Sequence, residues 1–241
     1  LRSTALESAT LKSVEIRGWR GTSLIDYPGS LCSVVFLAGC NFRCPYCHNP
    51  GLVKCDPGLP RYSAEGVCRR LMDRRGFIDG VCVSGGEPTL HEGLPDLLRR
   101  VRSLGLRIKL DTNGSRPEVL KALLESKLVD YVAMDVKAPA AKYSIVCGAR
   151  VSSRAIEESA SLLAESGVSY ELRTTVAWTL LDEEDIVDIG EWLGGTGRYL
   201  LQPCRDGVHL DPEFRAGGID RVRLEDLACL MRSYFPSVSI R

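Results

Sequence analysis

The chain has almost no net charge. Its 241 residues carry 31 Lys and Arg against 31 Asp and Glu, for a formal net charge of zero. That balance removes the long-range electrostatic case for a nucleic-acid or membrane-surface partner. Long apolar runs are missing as well. The longest, Leu31 to Gly39, is interrupted by Ser33 and has about half of the ~20 residues that a membrane-spanning helix needs. The start, Leu1-Arg2-Ser3-Thr4-Ala5-Leu6-Glu7, lacks the apolar core of a secretory leader, and the early Glu7 argues against one. No Pro-, Gly- or Ser-rich linker divides the chain and no short repeat runs through it, so the expectation is a single domain over residues 1–241.

What is present is apolar content and sulfur. Hydrophobic residues make up 44% of the chain, enough to fill a core without disulfide staples and too much for a disordered chain. Ten cysteines stand out. Without a leader they are expected to be free, ligating or catalytic in the reducing cytoplasm.

Buried-strand patterns occur at Ser33–Leu37, Gly80–Ser84, Arg107–Asp111, Tyr131–Asp135, Ser169–Thr174 and Tyr199–Gln202. Helical spacing lies between them and after the last: Ala64, Val67, Cys68 and Leu71; Leu94, Leu97, Leu98 and Val101; Leu120, Leu123 and Leu124; Ile156 and Leu163; Ile186 and Ile189; Leu224, Leu227 and Met231. This alternation predicts an α/β fold with βαβ crossovers around a parallel sheet, ligands collecting at the strand C-termini. Periodicity alone leaves an open sheet and a barrel equally available.

The densest chemistry follows the first of these strands: Cys40-Asn41-Phe42-Arg43-Cys44-Pro45-Tyr46-Cys47-His48-Asn49-Pro50. Cys44 and Cys47 have the spacing of a dithiol redox pair, but such a pair needs a helix starting at its first cysteine, and Asn49-Pro50-Gly51 ends any helix there. Cys44 to His48 also spells the haem-attachment pattern, which leaves Cys40 unused. A structural zinc ion on Cys40, Cys44, Cys47 and His48 competes with a [4Fe–4S] cluster held by three thiolates with one iron open. The thiol-only set favours the cluster.

With these residues in view, the chain resembles the radical S-adenosylmethionine enzymes. CxxxCxxC at Cys40, Cys44 and Cys47, with Tyr46 before the last cysteine, is similar to their signature. Cys44-Pro45-Tyr46-Cys47-His48-Asn49-Pro50, preceded by Ser23-Leu24-Ile25-Asp26-Tyr27-Pro28-Gly29, is similar to the activating enzymes of glycyl-radical proteins. Within that group it most resembles the activating proteins of anaerobic ribonucleoside-triphosphate reductase, with pyruvate formate-lyase activating enzymes as near relatives. The likeness is strong from Trp19 to Pro139 and weaker beyond.

The resemblance implies a partial (β/α)6 TIM-like barrel, with residues 1–31 as a lead-in, 32–205 as the barrel core and 206–241 as a C-terminal helix and tail. It implies that Cys40, Cys44 and Cys47 hold the cluster and that Phe42 and Tyr46 shield it. Ser84-Gly85-Gly86-Glu87-Pro88 matches the motif that receives the methionyl ammonium, with Gly85 and Gly86 allowing close approach and Glu87 offering an acceptor. Asp111, Thr112 and Asn113 match a second strand end, and Asp135 and Lys137 match the pair that binds the two ends of the methionyl group. Arg173 and Gln202 follow on the last two strands, facing the cofactor. A monovalent cation beside Asp111, Thr112, the Met134 carbonyl and Asp135 is implied by the pyruvate formate-lyase relatives. Read without the resemblance, the same motifs suit turns, an N-cap and ordinary ion pairs.

The implied activity is reductive cleavage of S-adenosylmethionine to a 5′-deoxyadenosyl radical. That radical abstracts hydrogen from a glycine of a partner, expected to be anaerobic ribonucleoside-triphosphate reductase, with flavodoxin or ferredoxin supplying the electron. A small-molecule radical reaction of the carboxy-deazaguanine synthase kind and a non-catalytic zinc module are the rivals. Cys32, Cys55, Cys68, Cys82, Cys147, Cys204 and Cys229 are expected to be packing or unassigned residues, with Cys204 near the mouth.

Overall fold

Val81, Val83, Ile108, Leu110, Val132 and Met134 alternate along three strands and put their side chains into one large apolar core under the helices. A computed structural model describes residues 14–195 and 197–241; the segment read above for a leader lies outside them. In chain order the elements are β1 (Ile16–Ser23), β2 (Cys32–Leu37), α1 (Pro50–Val53), α2 (Ala64–Met72), β3 (Gly80–Gly85), a 3₁₀ turn (Pro88–Leu90), α3 (Leu94–Ser103), β4 (Arg107–Thr112), α4 (Pro117–Glu125), β5 (Tyr131–Asp135), α5 (Tyr143–Val146), α6 (Ser153–Glu165), β6 (Ser169–Val176), α7 (Glu183–Leu193), β7 (Arg198–Pro203), α8 (Arg221–Met231) and β8 (Ser237–Ile240).

The strands lie side by side in sequence order from β1 to β8. β1 runs antiparallel to β2, and every later pair is parallel. β1 and β8 end the order, so the sheet is an open, partial barrel. The six expected strands are β2 to β7, and the six expected helices are present.

Two strands escaped the periodicity. β1 reads Ile-Arg-Gly-Trp-Arg-Gly-Thr-Ser, and its register against β2 shifts twice, so apolar alternation is lost. Gly18 lets it approach, because a Cβ there would lie 2.9 Å from the Phe36 ring. β8 has only four residues, none of them buried. Asn49-Pro50-Gly51 also behaves differently from expectation: Pro50 opens a helical turn, since the first position of a helix needs no N–H.

The opposite face of the sheet is divided along its length. At its lower level Cys32, Val34, Cys82, Tyr131 and Ala133 pack with Tyr27 in a small second cluster. Two residues further along the same strands stand polar groups at the sheet's C-terminal edge. The unexpected end of the sheet belongs to the same core, because α8 packs on β7 and β8 through Leu224, Leu227 and Met231. Leu227 is 1% exposed, and Leu227→Ala is expected to lower unfolding stability by about 2–5 kcal/mol in chemical denaturation. A loss below about 0.5 kcal/mol, the size of an ordinary surface change, would show that the tail is not part of the barrel core.

Candidate active site

Ser84, Asp111, Asp135, Arg173, Thr175 and Gln202 line one cavity of about 240 Å³ at the strand C-termini. They come from β3, β4, β5, β6 and β7. Arg173 bridges two strands: its Nε donates to Asp135 Oδ1 at 2.8 Å, and its guanidinium lies 3.6 Å from Asp111 Oδ2. Lys137 Nζ sits 3.1 Å from Asp135 Oδ2. Lys109, 1% exposed, donates to Asp111 Oδ1, whose other oxygen accepts from Ser84 Oγ at 3.0 Å.

Burial alone would raise both aspartates. The Arg173 and Lys137 charges overcome it at Asp135, and Arg173 and Lys109 do so at Asp111, holding both carboxyls below their ordinary range. Lys137 and Arg173 are held high by the same pairs, against their own burial. Gln202 Nε2 donates to Thr175 Oγ1 at 2.7 Å, fixing its amide beside the cavity.

Glu87 is placed differently from its expected role. Its side chain is fully buried and does not line the cavity. Oε1 accepts from Thr89 N, Thr89 Oγ1 and Thr112 Oγ1, and Oε2 accepts from Asn113 N at 2.6 Å. Three donors thus crowd Oε1 and one holds Oε2, so most of the carboxylate's acceptor capacity serves the protein's own groups. Gly85 and Gly86 do line the cavity, but the backbone they must admit is the protein's own. A Cβ on Gly85 would lie 2.3 Å from the Leu37 carbonyl oxygen, and one on Gly86 only 1.9 Å from that of Gly39.

Cys40, Cys44 and Cys47 line the same cavity. Cys47 N closes a turn on the Cys44 carbonyl at 3.0 Å, and Phe42 N points at Cys40 Sγ at 3.4 Å. No helix starts at Cys44, so the dithiol-redox geometry is absent. Burial pushes the Cys40 thiol up to about 11 and raises Cys47, whereas a hydrogen bond with Cys147 brings Cys44 down to about 7. The Lys137 charge favours the thiolate at all three.

The residues fit a polynuclear sulfur-bound group with a ligand beside it. Among the described residues, these three thiols do not gather tightly enough for a single ion, and the His48 ring is turned onto His209, 4.7 Å away, not joined to a compact zinc shell. Tyr46 is buried against the cavity, with an Oη that has no hydrogen-bond partner. Phe42 is buried there too.

Thr112 and Asn113 face the cavity while bonding back to Glu87; Asn113 Nδ2 also donates to Asn41 Oδ1 at 2.9 Å, tying the second strand end to the cysteine loop. Met134 turns its side chain into the helix-covered core. Sequence reasoning missed Ser84 and Thr175, the Lys109 ammonium and the Cys147 thiol. Lys109 had a signal, standing two residues before Asp111 and therefore on its face of β4. Cys147, from an unrelated loop, had none.

The family model of the Radical SAM superfamily matches residues 34–193. A Methanocaldococcus jannaschii protein that carries the name glycyl-radical enzyme activating enzyme is 34% identical over 226 residues, 91% of this chain and 92% of its own. The pyruvate formate-lyase-activating enzyme of Clostridium pasteurianum is 30% identical over 168 residues, 67% and 68% of the two chains. Streptococcus suis SuiB bound to its precursor peptide SuiA shares the fold, with a TM-score of 0.66 at 15% identity over 86% of this chain and 48% of that one. The chain belongs to the radical SAM superfamily and, within it, to the glycyl-radical enzyme activating enzymes. It is therefore an enzyme of a family that works with a [4Fe–4S] cluster and S-adenosylmethionine.

The Glu87 bonds make a prediction. Glu87→Gln leaves one oxygen to accept and turns an NH2 toward donors, and is expected to cost about 1–3 kcal/mol of stability in thermal or denaturant unfolding. If Glu87→Gln unfolds like the parent protein while only S-adenosylmethionine binding weakens, the carboxylate serves the ligand and not the loop.

Proposed function

We propose that the protein installs a glycyl radical on a partner enzyme, specifically an anaerobic ribonucleoside-triphosphate reductase, in the cytoplasm. One observation carries the chemical part: three cluster-type thiols share a cavity with Gly85, Gly86 and the Asp135–Lys137–Arg173 charge group. Cys40, Cys44 and Cys47 would hold the cluster, which when bound with S-adenosylmethionine supplies one-electron cleavage of a C–S bond. Flavodoxin or ferredoxin is the electron source.

The chain's own residues bind and orient. Asp135 and Lys137 are already paired at 3.1 Å. A zwitterionic methionyl group exchanges that one pair for two, its ammonium at Asp135 and its carboxylate at Lys137, with no change in net charge. Arg173 keeps the Asp135 carboxylate in place, while Gly85, Gly86 and Gln202 shape the wall beside it. Buried Phe42 and Tyr46 exclude water from the thiols.

The choice of a protein substrate rests on charge. The lining cations Lys137 and Arg173 are both engaged by aspartates, leaving no surplus fork for a carboxylated small molecule besides the cofactor. The relatives' names point the same way. Anaerobically reconstituted protein, given a reductant and S-adenosylmethionine, is expected to release 5′-deoxyadenosine and to raise a glycyl EPR signal on the host's anaerobic ribonucleoside-triphosphate reductase. Cys44→Ser is expected to abolish both. Nucleoside release with no glycyl signal on any glycyl-radical protein of the host would overturn the substrate reading in favour of a small molecule.

The monovalent cation of the pyruvate formate-lyase relatives has a substitute here. Lys109 occupies one oxygen of Asp111, and Arg173 and Lys137 occupy both of Asp135. We therefore expect 5′-deoxyadenosine release to be unchanged when sodium and potassium are replaced by choline. Lys109→Met should become dependent on a small cation. Loss of wild-type turnover in choline would sink this reading.

A further inference from the structure

We propose that His48, Cys204 and His209 form a second metal site, for one divalent ion of the zinc type, which clamps the segment after β7 onto the cysteine loop. The three residues come from two parts of the chain that meet only in the fold, and their donor atoms all lie within 4.8 Å of one another. Tetrahedral zinc with N and S ligands places its donors about 3.4–3.6 Å apart. A pair at that limit closes by a little over an ångström, and the exposed His48 ring has room to rotate.

The surroundings already orient both imidazole rings. His209 Nε2 lies 2.9 Å from the Arg205 carbonyl. A carbonyl only accepts, so Nε2 carries the proton and the lone pair falls on Nδ1. A ring nitrogen of His48 likewise faces the carbonyl of Val208, leaving its other nitrogen free. A backbone acceptor on the second nitrogen is the usual support of a metal-bound imidazole. His209 is held from two sides, by His48 and by the edge-on Phe214 ring 5.1 Å away.

Cys204 and His209 are each 6% exposed, and His48 opens to solvent, which leaves a route for the ion and a fourth position for water. Two imidazoles and one thiolate select zinc-type ions over magnesium or calcium. Binding displaces the Cys204 proton to solvent, and no electron moves. The site uses none of the three loop thiols, although His48 follows Cys47 directly and lines the same cavity. Its effect is mechanical: Leu210 N and Asp211 N already donate to the Cys47 and Pro45 carbonyls at 2.9 and 3.1 Å, and the ion adds a third tether at the same seam.

The test uses the reconstituted holoenzyme dialysed against micromolar zinc. One zinc per chain is expected, with a zinc-edge X-ray absorption spectrum of two imidazole nitrogens and one sulfur, undisturbed by iron. Cys204→Ser should remove the sulfur shell, and His48→Asn, at an exposed position, should weaken zinc by at least about tenfold. Absence of bound zinc, a sulfur-rich shell from the cluster cysteines, or unchanged zinc in Cys204→Ser would overturn the proposal. Iron content and 5′-deoxyadenosine release from the same samples report separately on the cluster site.

Discussion

Charge removed from water must meet opposite charge, and the cavity end of this barrel is arranged around that requirement. Asp111 on β4, Asp135 on β5 and Arg173 on β6 form a single buried group, with Arg173 reaching both carboxylates. Removing one member of such a group costs about 3–5 kcal/mol, because a charge is left buried without a partner. The three strand ends are therefore held in one relative position by residues that line the cavity. Each carboxylate has a second cation two residues away along its own chain, Lys109 before Asp111 and Lys137 after Asp135. The strand period of two puts Lys109 on its partner's face. Buried Glu171, two residues before Arg173 on β6, adds a third carboxylate to the group, and the Lys137 charge is the one that acts on the cysteine thiols.

The same period of two separates structure from site. One face of β3, β4 and β5 packs Val81, Val83, Ile108, Leu110, Val132 and Met134 into the helix-covered core, with Thr112 closing it at the end of β4. The other changes from Cys82, Tyr131 and Ala133 to Ser84, Asp111 and Asp135 one step further along. The motif at Gly85 to Glu87 then connects neighbouring strand ends. Its glycines allow β3 to leave the sheet against the β2 backbone, and its buried carboxylate collects Thr112 and Asn113 from the end of β4. Its side-chain bonds serve the architecture.

How much of this was legible depends on whether the signal was local. The parallel strands β2 to β7 are runs buried by covering helices, so their composition announces them, and the cysteine spacing lies within eight residues. β1 was hidden by two arginines, two glycines and two register shifts, and β8 by its shortness. Glu87 was legible as a motif residue but not in its orientation, since two of its four donors, Thr112 and Asn113, could turn toward it only after β4 was placed beside β3, and only the two from Thr89 are local. Cys147 meets Cys44 from about a hundred residues away, and Cys204 meets His48 across more than half of the chain. No spacing rule links such pairs.

These distant contacts matter because the cysteine loop has little regular structure of its own. Its backbone groups must still be satisfied. Arg43 N donates to the Cys147 carbonyl at 2.7 Å, and the carbonyls of Pro45 and Cys47 accept from Asp211 and Leu210. Asn41 is held by Asn113 and in turn donates to Ser115 Oγ at 2.8 Å. The loop is thus shaped from three directions by segments outside the cysteine signature. Two of them lie beyond Pro139, about a hundred residues or more from the signature. Substitutions in those segments therefore reach the thiols through backbone geometry, and the residues that shape the cysteine loop extend beyond those that the motif names.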